Sequence, residues 1–126
     1  MAEGRILVIE DNPLNMELVT DLLEVAGYSV FASPDAETGL SIADKEQPDI
    51  ILMDISLPGT DGLKATQMLK QHPGTQAIPI IALTAHAMKG DEQRALDAGC
   101  AGYITKPIDT RGFAKVIEGY LQQHKH

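Results

Sequence analysis

Acidic residues follow two of the most apolar stretches of the sequence. Glu10 and Asp11 come directly after the run Arg5–Ile9, and Asp54 comes directly after the run Ile50–Met53. Short apolar runs of this kind are typical of strands buried on both faces of a parallel sheet. Because the carboxyl ends of parallel strands meet at one edge, where ligands bind in such folds, we expect these three carboxylates to lie close together.

Two further apolar stretches bring a hydroxyl and an ammonium group to the same edge. Thr84 follows the run at 77–83, and Lys106 follows the run at 101–105. Clustered carboxylates repel one another, so this pocket favours a cation, and its oxygen donors suit Mg²⁺ or Mn²⁺. A carboxylate beside a divalent ion and a lysine is a plausible nucleophile for a phosphoryl group, because the cations neutralise the phosphate oxygens. The Thr84 hydroxyl would then donate a hydrogen bond to the transferred group.

The overall composition points to one acidic domain. The chain has 126 residues, 44% of them hydrophobic, and its formal net charge is −8. This charge argues against binding to DNA or RNA, which requires a basic surface. Cys100 is the single cysteine, so no internal disulfide forms and a reducing cytoplasm is the expected location. The start of the chain is too polar for a signal peptide, and no apolar run approaches the roughly 18 residues of a membrane span.

Strand-like and helix-like segments alternate five times along the chain. This alternation, with short connections, predicts an α/β fold with a parallel sheet covered by helices on both faces. Asn12 and Pro13 are typical of a helix start, while Gly27 and Gly99 are typical of helix ends. The expected strands are 5–9, 28–32, 49–53, 77–83 and 101–105, and the expected helices begin near residues 13, 34, 61, 87 and 109.

Helical spacing also predicts which side chains enter the core. The expected inward residues are Leu14, Leu18, Leu22, Val25 and Ala26 in the first helix, Ala36, Leu40 and Ala43 in the second, Leu63, Met68 and Leu69 in the third, and Phe113, Val116, Ile117, Tyr120 and Leu121 in the last. Leu14 is expected at the rim, and Leu18 in the core proper. Cys100 is expected to be a small buried hydrophobe. Asp54 is expected to be the first residue that leaves the core at the end of the third strand.

These residues, in this order and on these elements, resemble the receiver domain of two-component response regulators. The matching set comprises Glu10-Asp11, Asp54, Thr84-Ala85 and Lys106-Pro107, with Leu57-Pro58 and Asp61-Gly62 after the central aspartate. Each pair alone is common, but together the pairs fall at consistent strand ends and the resemblance covers essentially the whole chain. It implies a flavodoxin-like (βα)₅ three-layer sandwich with strand order 2-1-3-4-5. It also implies a single stand-alone receiver domain over residues 1–126, without an output domain.

The resemblance assigns a role to each carboxylate. Asp54 would accept a phosphoryl group from a phosphohistidine of a histidine kinase or a histidine phosphotransfer protein. Asp11, Asp54 and the backbone carbonyl of Ser56 would hold Mg²⁺, and Glu10 would act through water. By the same resemblance, Ser56 and His86 would tune how fast the acyl phosphate hydrolyses.

The other matched residues would bind the phosphoryl group and report its presence. Lys106 would pair with the phosphoryl oxygens, held by a turn at Pro107 whose peptide bond is cis in relatives. Thr84, which Ala85 follows, would move its hydroxyl toward the phosphoryl group, and the ring of Tyr103 would turn into the vacated space. This change would bias the face formed by the fourth helix, fifth strand and fifth helix, through which the protein signals or dimerises. The expected state is a monomer or a weak homodimer.

A partner surface follows from the same resemblance. The residues expected to contact the histidine-bearing partner are Leu14, Asn15, Pro107 and Ile108. No membrane partner is expected.

Two alternatives to a phosphorylation-activated regulator stay open. One is a receiver-like adaptor that binds its partner regardless of phosphorylation; the intact acidic set, Thr84 and Lys106 weigh against it. The other is a phosphohydrolase with an aspartyl nucleophile, similar to the haloacid-dehalogenase-like enzymes. Those enzymes carry a second aspartate two residues after the nucleophile, where this chain has Ser56. We therefore expect slow self-dephosphorylation at most, rather than enzymatic turnover.

Overall fold

The structure, a computed structural model, describes residues 4–55, 62–84, 89–105 and 108–123. Five parallel strands form one sheet in the order β2-β1-β3-β4-β5. The strands are β1 (Arg5–Ile9), β2 (Ser29–Ser33), β3 (Ile50–Asp54), β4 (Ile80–Thr84) and β5 (Gly102–Thr105), and the helices are α1 (Pro13–Val25), α2 (Ala36–Glu46), α3 (Gly62–Gln71), α4 (Lys89–Ala98) and α5 (Phe113–Gln123). The fold class and strand order predicted from the sequence are confirmed.

The three central strands are buried because helices cover both faces of the sheet. Every residue of β3 and β4 is buried, and β1 is exposed only at Arg5. Small and branched residues of α2, α3 and α4 pack on one face of the sheet, and residues of α1 and α5 pack on the other. The edge strands β2 and β5 are only partly buried, so the polar strand ends lie at the margin of a closed core.

Local sequence determines where several helices begin and end. The Asn12 side-chain oxygen accepts hydrogen bonds from the backbone N–H groups of Leu14 and Asn15, at 2.9 and 3.2 Å. These bonds satisfy donors that the first turn of α1 leaves without helical partners. Gly27 and Gly99 follow the ends of α1 and α4 with φ of 102° and 113°, where a side chain would be strained. The predicted cap and both predicted helix ends are confirmed.

The buried face of α1 differs from the expected one. Val19 and Leu23 are buried, whereas Leu18 is 37% exposed and Val25 is 90% exposed. Leu14 is 76% exposed, so its side chain lies on the protein surface rather than at the rim of the core. The prediction that Leu18 and Val25 enter the core was wrong, because α1 carries two apolar stripes and the other one faces the sheet.

Two smaller differences concern α3 and α5. Met68 is 42% exposed and Val116 is 45% exposed, although both were expected inside. In α5 the buried residues are Phe113 and Ile117. This helix begins at Phe113 rather than near residue 109, because the Asp109 side chain accepts a hydrogen bond from the N–H of Arg111 at 3.1 Å and holds a turn there.

The remaining inward predictions that the structure describes are confirmed. Ala36 and Ala43 of α2, Leu69 of α3 and Cys100 are buried. The residues that pack against the core while partly exposed are Leu22, Ala26, Leu40, Tyr120 and Leu121. Burial raises the pKa of the Cys100 thiol, whose sulfur lies 3.9 Å from the Thr66 hydroxyl.

Candidate functional site

Three carboxylates meet at the carboxyl edge of the sheet. Glu10 and Asp11 follow the last residue of β1, and Asp54 ends β3. One carboxylate oxygen from each residue lies within 4.8 Å of the other two. Glu10 and Asp54 are only 1% and 2% exposed, whereas Asp11 is open to solvent. The structure thus brings together the three acidic residues that the strand ends predicted.

Asp54 lies inside the sheet rather than beyond it. It is the last residue of β3 and pairs with Leu83 of β4. The ladder continues past it, since the N–H of Ile55 donates to the Leu83 carbonyl at 3.2 Å. The prediction that Asp54 is the first residue to leave the core was wrong, because this extra pairing keeps its backbone on the sheet. The sheet therefore fixes the position of the Asp54 backbone.

Backbone contacts orient Glu10. Its own N–H donates to the carbonyl of Ser33 at the end of β2, at 3.0 Å. One of its carboxylate oxygens accepts a hydrogen bond from the N–H of Asn12 at 3.2 Å. Sequence reasoning identified Asn12 only as a helix cap and missed this second contact. The available signal was the two-residue spacing, at which a side-chain oxygen can accept a hydrogen bond from a later backbone N–H.

Thr84 and Tyr103 occupy the same face of the sheet. Tyr103 of β5 pairs with Ala82 of β4, and Thr84 lies two residues further along β4. Side chains two residues apart on a strand point to the same face, so the Thr84 hydroxyl and the Tyr103 ring are diagonal neighbours. Thr84 is 2% exposed, and Tyr103 is partly buried against the cluster that contains Ala82. The structure thus places the two side chains on one face of the sheet, on neighbouring strands.

Three of the residues assigned by resemblance to the partner surface lie in the described part of the chain. Leu14 and Asn15 form the first turn of α1, and Ile108 packs against the apolar cluster between the sheet, α1 and α5. The assigned residues that lie outside the described part of the chain are Ser56, Ala85, His86, Lys106 and Pro107. Their roles stay predictions.

The donor set fits a small, hard divalent cation. All three side chains offer oxygen, two of them from buried positions. Oxygen-only sets of this kind suit Mg²⁺, which often binds one or two carboxylates and retains water. Glu10, Asp11 and Asp54 are the residues that would hold such an ion.

Comparison with known proteins identifies the family. A sequence model described as the response regulator receiver domain matches residues 6–118. The chain belongs to the response regulator receiver family. It is 45% identical over 116 residues to the polar-differentiation response regulator DivK of Brucella anthropi, with 92% of this chain and 94% of that protein covered.

Solved structures of receivers have the same fold. The receiver domain of the sensor histidine kinase PA1611 from Pseudomonas aeruginosa, described with a magnesium ion coordinated in its active site cleft, is 34% identical with a TM-score of 0.87, covering 96% of this chain and 99% of that one. A response regulator receiver domain protein from Methanospirillum hungatei is 26% identical with a TM-score of 0.88, covering 98% of both chains.

The receiver is therefore a module of two-component signalling. Receiver domains transmit signals rather than turn over substrates in the usual enzymatic sense. Within the described part of the receiver, none of the helices combines the length and the apolar character that crossing a bilayer requires.

Proposed function

We propose that this receiver accepts a phosphoryl group on Asp54 from a phosphohistidine of a histidine kinase or a histidine phosphotransfer protein. The grouping of three carboxylate oxygens within 4.8 Å of one another is the observation that carries this proposal. An Asp54 oxygen would attack phosphorus, so that an O–P bond forms and the N–P bond to the histidine breaks. The imidazole nitrogen keeps the bonding electron pair and takes up a proton.

Glu10, Asp11 and Asp54 prepare the site for this step. We assign them, with the backbone carbonyl of Ser56, to a Mg²⁺ site that Mn²⁺ would also fit; Glu10 would act through water. When bound, the ion neutralises the oxygens of the incoming phosphoryl group. The ion in the cleft of the Pseudomonas receiver supports the assignment.

The response to phosphorylation would run through Thr84 and Tyr103. Lys106 and the Thr84 hydroxyl bind the phosphoryl oxygens, and the Tyr103 ring follows the hydroxyl inward. The shared face of the sheet on which Thr84 and Tyr103 lie supports this coupling. The surface of α4, β5 and α5 then signals to a partner protein, or phosphate passes onward to it.

The phosphodonor would dock beside α1. Leu14 is 76% exposed in the first turn of this helix, three residues after Asp11. An exposed leucine here gives an apolar contact near the carboxylates. We propose that Ile108 extends this contact and that Asn15 adds a polar one. We also propose that the receiver is cytoplasmic and that it acts as a stand-alone domain. The length of the Brucella relative supports the second point, since the 116 matched residues make up 94% of that protein.

Labelling by a small phosphodonor tests this function. Purified protein incubated with acetyl phosphate and MgCl₂ is expected to gain one phosphoryl group. Intact-protein mass spectrometry detects the added mass. Asp54→Asn or removal of Mg²⁺ is expected to abolish the label, while Asp21→Asn, an exposed acid of α1, retains it. An unlabelled wild-type protein would instead favour the phosphorylation-independent adaptor. Rapid multiple turnover of small phosphoesters would favour a hydrolase.

A further inference from the structure

Gly62 lies against the backbone that carries Asp54. It is the first residue of α3 and is buried. Its N–H donates to the carbonyl of Ile55 at 3.3 Å, so the start of the helix is tied to the end of β3. Its carbonyl accepts a hydrogen bond from the buried hydroxyl of Thr66 at 2.8 Å. Gly62 is therefore held from both sides.

The contact between Gly62 and β3 leaves no space for a side chain. A Cβ atom at Gly62 would overlap the carbonyl oxygen of Asp54 and the Cα of Ile55, and would lie 3.0 Å from the Asp54 carbonyl carbon. Gly62 does not have a positive φ, so the constraint is one of space rather than of backbone conformation. Atoms of the main chain cannot turn aside, so either α3 or the end of β3 would have to move.

Other glycines whose surroundings the structure describes meet side chains or open space instead of the main chain. At Gly102 an added Cβ would meet the ring of Tyr120 at 2.5 Å, and at Gly39 it would meet side-chain atoms of Ile9. Side chains such as these can rotate. At Gly119 no atom lies within 4 Å of the added carbon. At Gly62, by contrast, an added side chain would press on the main chain of Asp54, the proposed phosphoacceptor.

We propose that Gly62 is a positioning residue for phosphoryl transfer: by lacking a side chain, it allows α3 to fix the backbone of Asp54 so that its carboxylate stays grouped with Glu10 and Asp11. The inference rests on the proposed phosphorylation of Asp54. Relieving the overlap requires a displacement on the order of 1 Å, which can slow a reaction about 100-fold when it moves a reacting group.

Gly62→Ala tests the proposal in the full chain. Two quantities are measured at a temperature where circular dichroism shows the variant folded. These are the dissociation constant of MgCl₂ alone, from a ¹H–¹⁵N NMR titration, and the initial rate of labelling by acetyl phosphate. We expect labelling to slow by about 10- to 100-fold, and Mg²⁺ binding to weaken several-fold.

Two control variants separate positioning from general destabilisation. Gly119→Ala adds the same methyl group to an open site on α5. Ile51→Val removes a buried methylene from β3 itself without adding an atom near Asp54. Both are expected to keep the wild-type Mg²⁺ affinity and labelling rate. Slowing of Ile51→Val to the level of Gly62→Ala would show that lost stability is the cause, and would overturn the proposal.

Other outcomes distinguish this inference from the proposed function. A Gly62→Ala protein with wild-type affinity and rate overturns the positioning role while leaving phosphorylation of Asp54 intact. A wild-type protein that takes no label refutes the proposed function, and the Mg²⁺ titration then still tests how Gly62 places the carboxylates.

Hydrogen exchange covers the case in which Gly62→Ala does not fold. In the wild-type protein the Gly62 amide is expected to exchange slowly, and more slowly when MgCl₂ saturates the site. An exchange rate for this amide that does not change on adding MgCl₂ would contradict a link between Gly62 and the metal-binding carboxylates.

Discussion

At the scale of single residues, the site concentrates like charges that the unfolded chain keeps apart. Glu10, Asp11 and Asp54 place carboxylate oxygens within 4.8 Å of one another. Two like charges at such a distance repel by about 1 kcal/mol in water and by more near a protein interior. Without a cation, the repulsion between these carboxylates therefore opposes folding.

Removing one of these charges is expected to stabilise the protein when no divalent ion is bound. In EDTA, Asp54→Asn should raise the free energy of unfolding by about 1–2 kcal/mol, because the repulsion from Glu10 and Asp11 is relieved. Urea unfolding at neutral pH measures the change. Asp97→Asn, at an exposed position on α4, is the matched control and should stay within about 0.5 kcal/mol of the wild type. A less stable Asp54→Asn protein would mean that favourable contacts of the carboxylate outweigh the repulsion.

At the scale of elements, α1 illustrates how packing selects between two faces of one helix. One apolar stripe runs through Val19 and Leu23 and is buried; the other runs through Leu18 and Val25 and is exposed. Asp21 and Glu24 lie among exposed positions of the same helix. Because both stripes have helical spacing, only contact with the sheet decides which of them enters the core.

Truncations on the two stripes should differ strongly in cost. Leu23→Ala is expected to lower the free energy of unfolding by about 2–5 kcal/mol, because it leaves a cavity under a fully buried side chain. Val25→Ala is expected to change it by less than about 0.5 kcal/mol, since the valine is 90% exposed. Urea unfolding of both variants gives the comparison. A larger loss for Val25→Ala than for Leu23→Ala would show that α1 packs through the other stripe in solution.

The sequence was sufficient for the alternation of strands and helices and for the acidic cluster, because both follow from the chain's own periodicity. The strand order came from the resemblance to receiver domains. An apolar run followed by a carboxylate places that carboxylate at the sheet edge whatever the details of packing. The relation of Gly62 to Asp54 could not be derived in this way, because it depends on how closely α3 approaches β3. The burial of Asp54 could not be derived either, because it depends on the hydrogen bond from the Ile55 N–H to the Leu83 carbonyl of β4.

At the scale of the whole molecule, the site joins the two halves of the core. Asp54 ends a strand with one apolar cluster on each face, and the helices that cover those faces begin at the same edge of the sheet. An ion bound there would connect the ends of β1 and β3 directly. Since the unfolded chain has no such site, binding must add to the stability of the entire domain.

Thermal unfolding in MgCl₂ measures this coupling. Above the dissociation constant, each tenfold rise in Mg²⁺ should add about 1.4 kcal/mol, or about 5 °C in Tm for a domain of this size. Asp11→Asn removes the exposed ligand without disturbing a buried group, and should flatten this dependence. NaCl at equal ionic strength controls for screening of the net charge of −8. If Asp11→Asn responded to MgCl₂ as strongly as the wild type, the ion would be acting on overall charge, and the three carboxylates would not form its site.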